Sequence, residues 1–281
     1  MRQILIPTDF SENSWSAALY AIELFMEDGA VFHLLHAFSP YVVAPSGPME
    51  THIMDETIYR AAEENSKREL NAIKTKLLEI HPKANIKEHS KFDFFTNSIQ
   101  RFLIDCEVNC IVLGTKGASG IKEILMGSNT SSLIGKVKVP ILVIPKETEY
   151  KPINNVVVGS DLNVVPTKKG VELIRRLLKL TGASLHVLNI QKSKRELTRH
   201  EKDIQNVYEV LLKEHEVVFK NLTYKDVETG INLYVEEIDA EMICVIARKH
   251  SFLERLLERS KSKALTNHTK TPLLVLNEES R

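Results

Sequence analysis

The chain of 281 residues has little cysteine, one tryptophan and no excess of either charge. Three cysteines, Cys106, Cys110 and Cys244, are too few and too unevenly placed for a disulfide framework. They read as small buried hydrophobes of a reducing compartment. Cys106 and Cys110 share the spacing of one helix face, but Cys110 opens an apolar run, which predicts a helix–strand junction. Lys and Arg together number 37, as do Asp and Glu, and the balance holds within each half. No acidic or basic tail is present, and the excess that marks a nucleic-acid binder is missing. No apolar run approaches the ~18 residues of a membrane span. Residues Met1 to Asp9 read as a strand rather than a secretory leader. The expectation is a cytoplasmic chain without nucleic-acid or membrane partners. Two common phosphate-binding patterns, the Walker loop and the Rossmann fingerprint, are absent as well.

What is there is a repeat. Ile4-Leu5-Ile6-Pro7-Thr8-Asp9-Phe10 aligns with Val156-Val157-Val158-Gly159-Ser160-Asp161-Leu162. Each is an apolar triplet followed by a small turn residue, a hydroxyl and an aspartate. Gly29-Ala30-Val31-Phe32-His33-Leu34-Leu35-His36 matches Gly182-Ala183-Ser184-Leu185-His186-Val187-Leu188-Asn189. Val139-Pro140-Ile141-Leu142-Val143-Ile144 matches Thr271-Pro272-Leu273-Leu274-Val275-Leu276. A period of about 130–150 residues is too long for a solenoid and fits a duplicated domain. The expected domains are 1–146 and 152–281, joined by the polar stretch from Lys146 to Lys151 that leads into Pro152.

Within each copy, short apolar runs alternate with helical patterns. Strands are predicted at 2–8, 31–38, 85–91, 108–114 and 139–145, and again near 154–160, 184–190, 216–220, 241–247 and 272–277. Between them Trp15, Leu19, Ile22 and Met26 recur at helical spacing, as do Leu70, Ile73, Leu77 and Ile80, and Ile99, Phe102, Leu103 and Cys106. Ser11 is the candidate cap of the first helix and Gly29 its stop. Apolar strands alternating with helices predict an α/β fold of two tandem doubly wound domains. Each would be a five-stranded parallel sheet with helices on both faces. Ligands of such sheets sit beyond the carboxyl ends of the strands, where the strand order reverses. Residues just after strands 1, 2 and 4 are therefore the candidates.

After strand 4 come Leu113-Gly114-Thr115-Lys116-Gly117 and, further on, Gly127-Ser128-Asn129-Thr130. Glycines let backbone amides approach an anion without a Cβ in the way. Gly127-Ser128-Asn129-Thr130 opens the next predicted helix, whose free N–H groups favour phosphate. Ser128 and Thr130 add hydroxyl donors.

This pattern, its preceding strand and the following Val139-Pro140-Ile141-Leu142-Val143-Ile144 resemble the ATP-binding branch of the universal stress protein family, over essentially the whole chain. The resemblance implies an adenine-nucleotide α-hydrolase-like fold, with ribose and triphosphate held at Gly114, Gly117, Gly127, Ser128, Asn129 and Thr130. It implies that Pro7, Thr8 and Asp9 border the adenosine, and that His36 and Ala37 lie at the adenine. ATP, with or without Mg, is the implied ligand. An internal pseudo-dimer of the two domains, using the last strand of each, and a homodimer of chains are the implied assemblies. For Asp9 the alternative is a brace at the start of the first helix. For His36 it is packing at the strand end. His33 and His36 point to opposite faces of a strand and make no metal pair.

In the second copy, ungapped alignment puts Ile246, Lys249 and Arg259 at the positions of Gly114, Gly117 and Gly127. Long side chains there obstruct a triphosphate. The cluster Arg248, Lys249, His250, Arg255, Arg259, Lys261 and Lys263 reads as a small-anion site or as a solvated face balanced by Glu254 and Glu258. The Pro-rich 39–56 connection is a lid or a disordered insertion. A stress-response sensor or regulator is the leading expectation. A slow ATPase and a non-nucleotide scaffold are the alternatives. No catalytic base or metal-ligating set is fixed by motif, as phosphoryl transfer would need.

Overall fold

The computed structural model describes residues 2–39, 56–115, 132–146, 148–247 and 271–278. The first half runs β1 (Gln3–Pro7), α1 (Glu12–Phe25), β2 (Val31–Phe38), α2 (Glu56–Ile80), β3 (Asn85–Phe92), α3 (Phe95–Asp105), β4 (Cys110–Gly114) and β5 (Ile141–Ile144). The second runs β6 (Asn155–Gly159), α4 (Lys168–Thr181), β7 (Ser184–Gln191), α5 (Arg199–Leu211), β8 (Val217–Thr223), α6 (Val227–Glu237), β9 (Met242–Ala247) and β10 (Leu273–Asn277).

All ten expected strands are present; the inner ones are short apolar runs rich in Ile, Val and Leu, whereas the edge strands β3 and β8 are largely polar. Strands begin later than expected at Cys110 and Ile141, where the chain is still in turn geometry. Cys106 closes α3 and Cys110 opens β4, the predicted junction. The thiols are free, and burial pushes Cys110 up to about 12. Ser11 caps α1 by accepting from the Ser14 amide, and a short 3₁₀ turn carries the chain to Gly29 at φ 65°. That left-handed conformation is the one glycine adopts at no steric cost.

The strands form one ten-stranded sheet in the order β3-β2-β1-β4-β5-β10-β9-β6-β7-β8. Pairing is parallel within each half. Between halves β5 and β10 run antiparallel, with Leu273 opposite Val143, Leu274 opposite Leu142 and Val275 opposite Ile141. Alternation then sorts side chains to two cores. Ile4, Ile6, Val112, Leu142, Val156, Val158, Cys244 and Leu274 lie in one. Leu5, Ile111, Val143, Val157, Ile243 and Val275 lie in the other. α1, α2, α4 and α5 cover the first face, through residues such as Ile22, Leu70, Ile174 and Tyr208. α3 and α6 cover the second, through Phe102 and Tyr234. Each core draws on both halves, so burial is continuous across the join. A fully buried Val, Leu or Ile there contributes about 1.5–3 kcal/mol.

A buried ion cluster also bridges the halves. The Asp28 carboxylate, 1% exposed, meets Arg2 Nε at 3.0 Å and the Arg176 guanidinium of α4. Breaking an isolated buried pair costs ~3–5 kcal/mol. Arg2 stays in place when Arg176 is removed, so Arg176→Met is expected to lower unfolding stability by about 2 kcal/mol. Urea denaturation measures it, and an unchanged midpoint contradicts a stabilising bridge.

Candidate functional site

β1 sits between β2 and β4, so the chain departs to opposite sides of β1 and leaves a crevice beyond the carboxyl ends of β1 and β4. The residues leaving β1 make a tight, self-bonded turn. Thr8 donates its amide to the Leu35 carbonyl at 2.9 Å. Its Oγ1 accepts from the Phe10 amide at 3.0 Å and meets Ser14 Oγ at 3.0 Å. Asp9 Oδ1 accepts from the Ser11 amide at 3.2 Å and from the Ser11 hydroxyl at 2.6 Å. Asp9 therefore braces the residue that caps α1, and its carboxylate stands half-exposed at the crevice. Phe10 adopts φ 65°. A non-glycine residue there costs about 1–3 kcal/mol, which only surrounding contacts sustain. Phe10 packs against the core and against the His36 ring, 4.3 Å from its own.

The turn is written twice. Ser160 donates its amide to Leu188 O at 2.9 Å, and its Oγ accepts from the Leu162 amide at 3.1 Å. Asp161 Oδ1 accepts from the Asn163 amide at 3.0 Å, and Leu162 takes φ 53° with its side chain fully buried. The strained residue was missed from sequence, because Phe and Leu carry none of the usual signals of left-handed backbone. The aligned hydroxyl–aspartate pair was the available signal.

His36 and Ala37 point to opposite faces of β2. Ala37 packs against the core that holds Leu5 and Leu35. His36 turns to α2, where its Nδ1 lies 2.9 Å from Ser66 Oγ, itself 2.7 Å from Ser90 Oγ. Burial holds the His36 imidazole below its ordinary range, while the Asp9 carboxylate pulls the other way. The ring is thus engaged at one edge by Ser66 and meets Phe10 at a tilt of 46°.

The structure sets Pro7 and Leu113 at the same end of adjacent strands, paired through Ile4 with Cys110 and Leu5 with Ile111. Gly114 pairs with Ile144 and is followed by the buried Thr115. The space that a Gly114 Cβ would fill belongs to α1: the Asn13 side chain would lie 2.7 Å away and its carbonyl 2.8 Å. Gly114 thus admits the first turn of α1 against β4. Gly117, Gly127, Ser128, Asn129 and Thr130 lie outside the described residues, as do residues 40–55 and the cluster from Arg248 to Lys263. Beyond the glycine pattern, Ser132 Oγ meets Thr96 Oγ of α3 at 3.0 Å, and Leu133, Ile134 and Val137 enter the core.

In the second half, Leu276 pairs with Ile246 as Ile144 pairs with Gly114, so an isoleucine holds that position. Asn189, bonded to Asn221 at 3.2 Å, stands at the register of His36. Among the described residues no group of three or more His, Cys, Asp or Glu is placed to hold a metal ion, and no helix is long and apolar enough to cross a membrane.

A duplicated, doubly wound α/β unit with its crevice at the carboxyl ends of the central strands is the class this geometry defines. The model of the Universal stress protein family matches residues 1–145 and again 152–277, and the chain belongs to that family. It is 28% identical over 149 residues to Universal stress protein MJ0531 of Methanocaldococcus jannaschii, covering 52% of this chain and 82% of that one. It is 27% identical over 146 residues to Universal stress protein G of Shigella flexneri, covering 51% of this chain and 98% of that one. In fold it is similar to a universal stress protein from Archaeoglobus fulgidus, with TM-score 0.69 and 23% identity over 98% of each chain.

Gly114→Ala is expected to cost about 1–3 kcal/mol, because the new methyl meets backbone as well as side chain of Asn13. Thermal or urea unfolding checks this, and wild-type stability would contradict the close approach.

Proposed function

We propose that the chain is an ATP-binding universal stress protein acting as a stress-response sensor or regulator. The first domain, 1–146, holds the nucleotide and the second, 152–281, does not. The observation that carries the reading is the pairing of two features on neighbouring strands. The glycine pattern Gly114, Gly117 and Gly127 starts at the last residue of β4, and the braced Thr8-Asp9 turn follows β1 beside it. Leu113, Gly114, Gly117, Gly127, Ser128, Asn129 and Thr130 would hold ribose and phosphates. Pro7, Thr8, Asp9 and Ala37 would border the adenosine, with His36 setting the wall on the α2 side. The donors are hydroxyls and backbone amides, a set suited to an anion. Mg would arrive with the triphosphate rather than in a cage of its own.

In this reading nucleotide turns over slowly or not at all, since no base is positioned by motif for an attacking water. The antiparallel seam of β5 and β10 is the internal pseudo-dimer, and pairs of chains form a homodimer. The protein works in the cytoplasm. Ile246 at the Gly114 register favours a scaffold role for the second half.

Gly127→Val is expected to weaken ATP binding at least tenfold, as a branched side chain blocks close approach to phosphate. Isothermal titration of both proteins measures it. Equal affinities would show that the glycine pattern is not the phosphate site.

A further inference from the structure

The duplication leaves a histidine at one register position in both halves: His33 pairs with Leu5 of β1, and His186 with Val157 of β6. Their partners differ. His33 is 4% exposed, its Nε2 is 2.6 Å from Gln3 Oε1 and its Nδ1 is 2.9 Å from His89 Nε2. An amide oxygen only accepts, so His33 carries its proton on Nε2 and accepts at Nδ1 from the His89 Nε2–H. The bonds run one way, from β3 through β2 to β1. Both rings meet Phe102 of α3 edge-on, with centroids 5.2 and 4.7 Å away. Phe102 is 6% exposed and anchors that helix to the sheet.

The charges that act on the pair are cationic. Lys87 and Lys91 of β3 oppose protonation of His89, and Lys87 opposes that of His33. Lys87 also acts on the Cys106 thiol at the end of α3. The charged residues of α3 itself, Arg101 and Asp105, are exposed, and Arg101 is engaged by Asp93 at 2.9 Å. Glu88 of β3 pairs instead with Lys74 of α2, at 3.1 Å.

The second half is built differently. His186 Nδ1 is 2.8 Å from the Tyr234 hydroxyl and its Nε2 is 3.1 Å from Ser184 Oγ. Hydroxyls rotate to donate or accept, so a protonated His186 keeps both bonds. Lys220 stands at the register of His89, so the second imidazole is missing.

α3 also holds the chain that leaves the glycine pattern. Thr96 Oγ meets Ser132 Oγ at 3.0 Å, and Gln100 Nε2 donates to the Lys136 carbonyl at 3.5 Å. We propose that Gln3, His33 and His89 form an acid-sensitive latch that releases α3 from the sheet, and with it the chain from Ser132 to Lys136. Protonating His89 keeps its bond to His33 Nδ1 but sets a cation beside Lys91 and Lys87, and a second proton, on His33, then sets Nδ1–H against Nε2–H with no tautomer left to accept. Burial lowers His33 from 6.5 and lowers His89 to about 4. The closed state therefore binds fewer protons than the open one. The latch is intact above about pH 6.5 and weakens as pH falls towards about 4. A loss of nucleotide affinity on the same descent rests on the function proposed above; the release of α3 does not.

Hydrogen exchange of the full chain, corrected for intrinsic rates, tests the release by comparing α3 with its counterpart α6. From about pH 7 to about pH 5, opening of α3 is expected to rise on the order of tenfold more than that of α6. In His89→Gln, whose amide still donates to His33 but does not titrate, most of that difference disappears. Parallel changes in α3 and α6, or a wild-type response in His89→Gln, overturn the latch. If His89→Gln does not fold, NMR titration of wild-type His89 decides. A midpoint well below 6.5 that coincides with shifts of α3 amides supports the latch, and an ordinary midpoint with α3 unmoved overturns it.

Discussion

The antiparallel pairing of β5 with β10 is the constraint on which the rest of the structure depends. Each is the last strand of its half, and each would otherwise be an edge of unpaired amides and carbonyls lined with apolar side chains. Joining them makes one sheet of two halves and lets both cores run through the seam, with Leu142 and Leu274 in one and Val143 and Val275 in the other. The antiparallel sense also sets one half upside down relative to the other. The carboxyl ends of the central strands in the two halves therefore open in opposite directions. The Asp28, Arg2 and Arg176 cluster and the edge-on contact of Tyr20 with Tyr150 secure the same join from the helix side.

Duplication makes this molecule its own control. The turn after the first strand survives in both copies, down to the left-handed residue, the hydroxyl that accepts its amide and the aspartate that braces the next residue. Its preservation in the half where Ile246 stands at the Gly114 register gives the turn a role in the fold of both halves, whatever it borders in the first: it launches the chain from the sheet towards the helix that covers it. What differs lies around it. The first half has His36 against Ser66 and Phe10, and Gly114 beneath Asn13. The second has Asn189 bonded to Asn221, and Ile246. The two halves thus share a scaffold and differ in their crevice walls.

Much of the fold was legible because its signals are local. Ile4-Leu5-Ile6 and Val156-Val157-Val158 announce strands, and the repeat announces the two units. The neighbour of the last strand came from the resemblance and not from its residues: Ile141-Leu142-Val143-Ile144 looks the same beside a parallel partner or an antiparallel one, since either buries both faces. Phe10 gave no warning of its backbone, because its conformation goes with the turn, in which Thr8 Oγ1 accepts its amide, and Leu162 repeats it without a histidine beside it. Gly114 was read for ligand approach, and the structure shows a second use for its missing Cβ, in the seating of Asn13. His33 and His89 lie far apart in sequence, and only the parallel pairing of β2 with β3 brings them together.

The central claim is that two halves of one fold have parted in function, the first keeping a nucleotide and the second losing it. Native mass spectrometry of the intact chain at saturating ATP counts bound nucleotides directly. One adenine nucleotide per chain is the predicted result. Two per chain, or none on a folded chain, would contradict it.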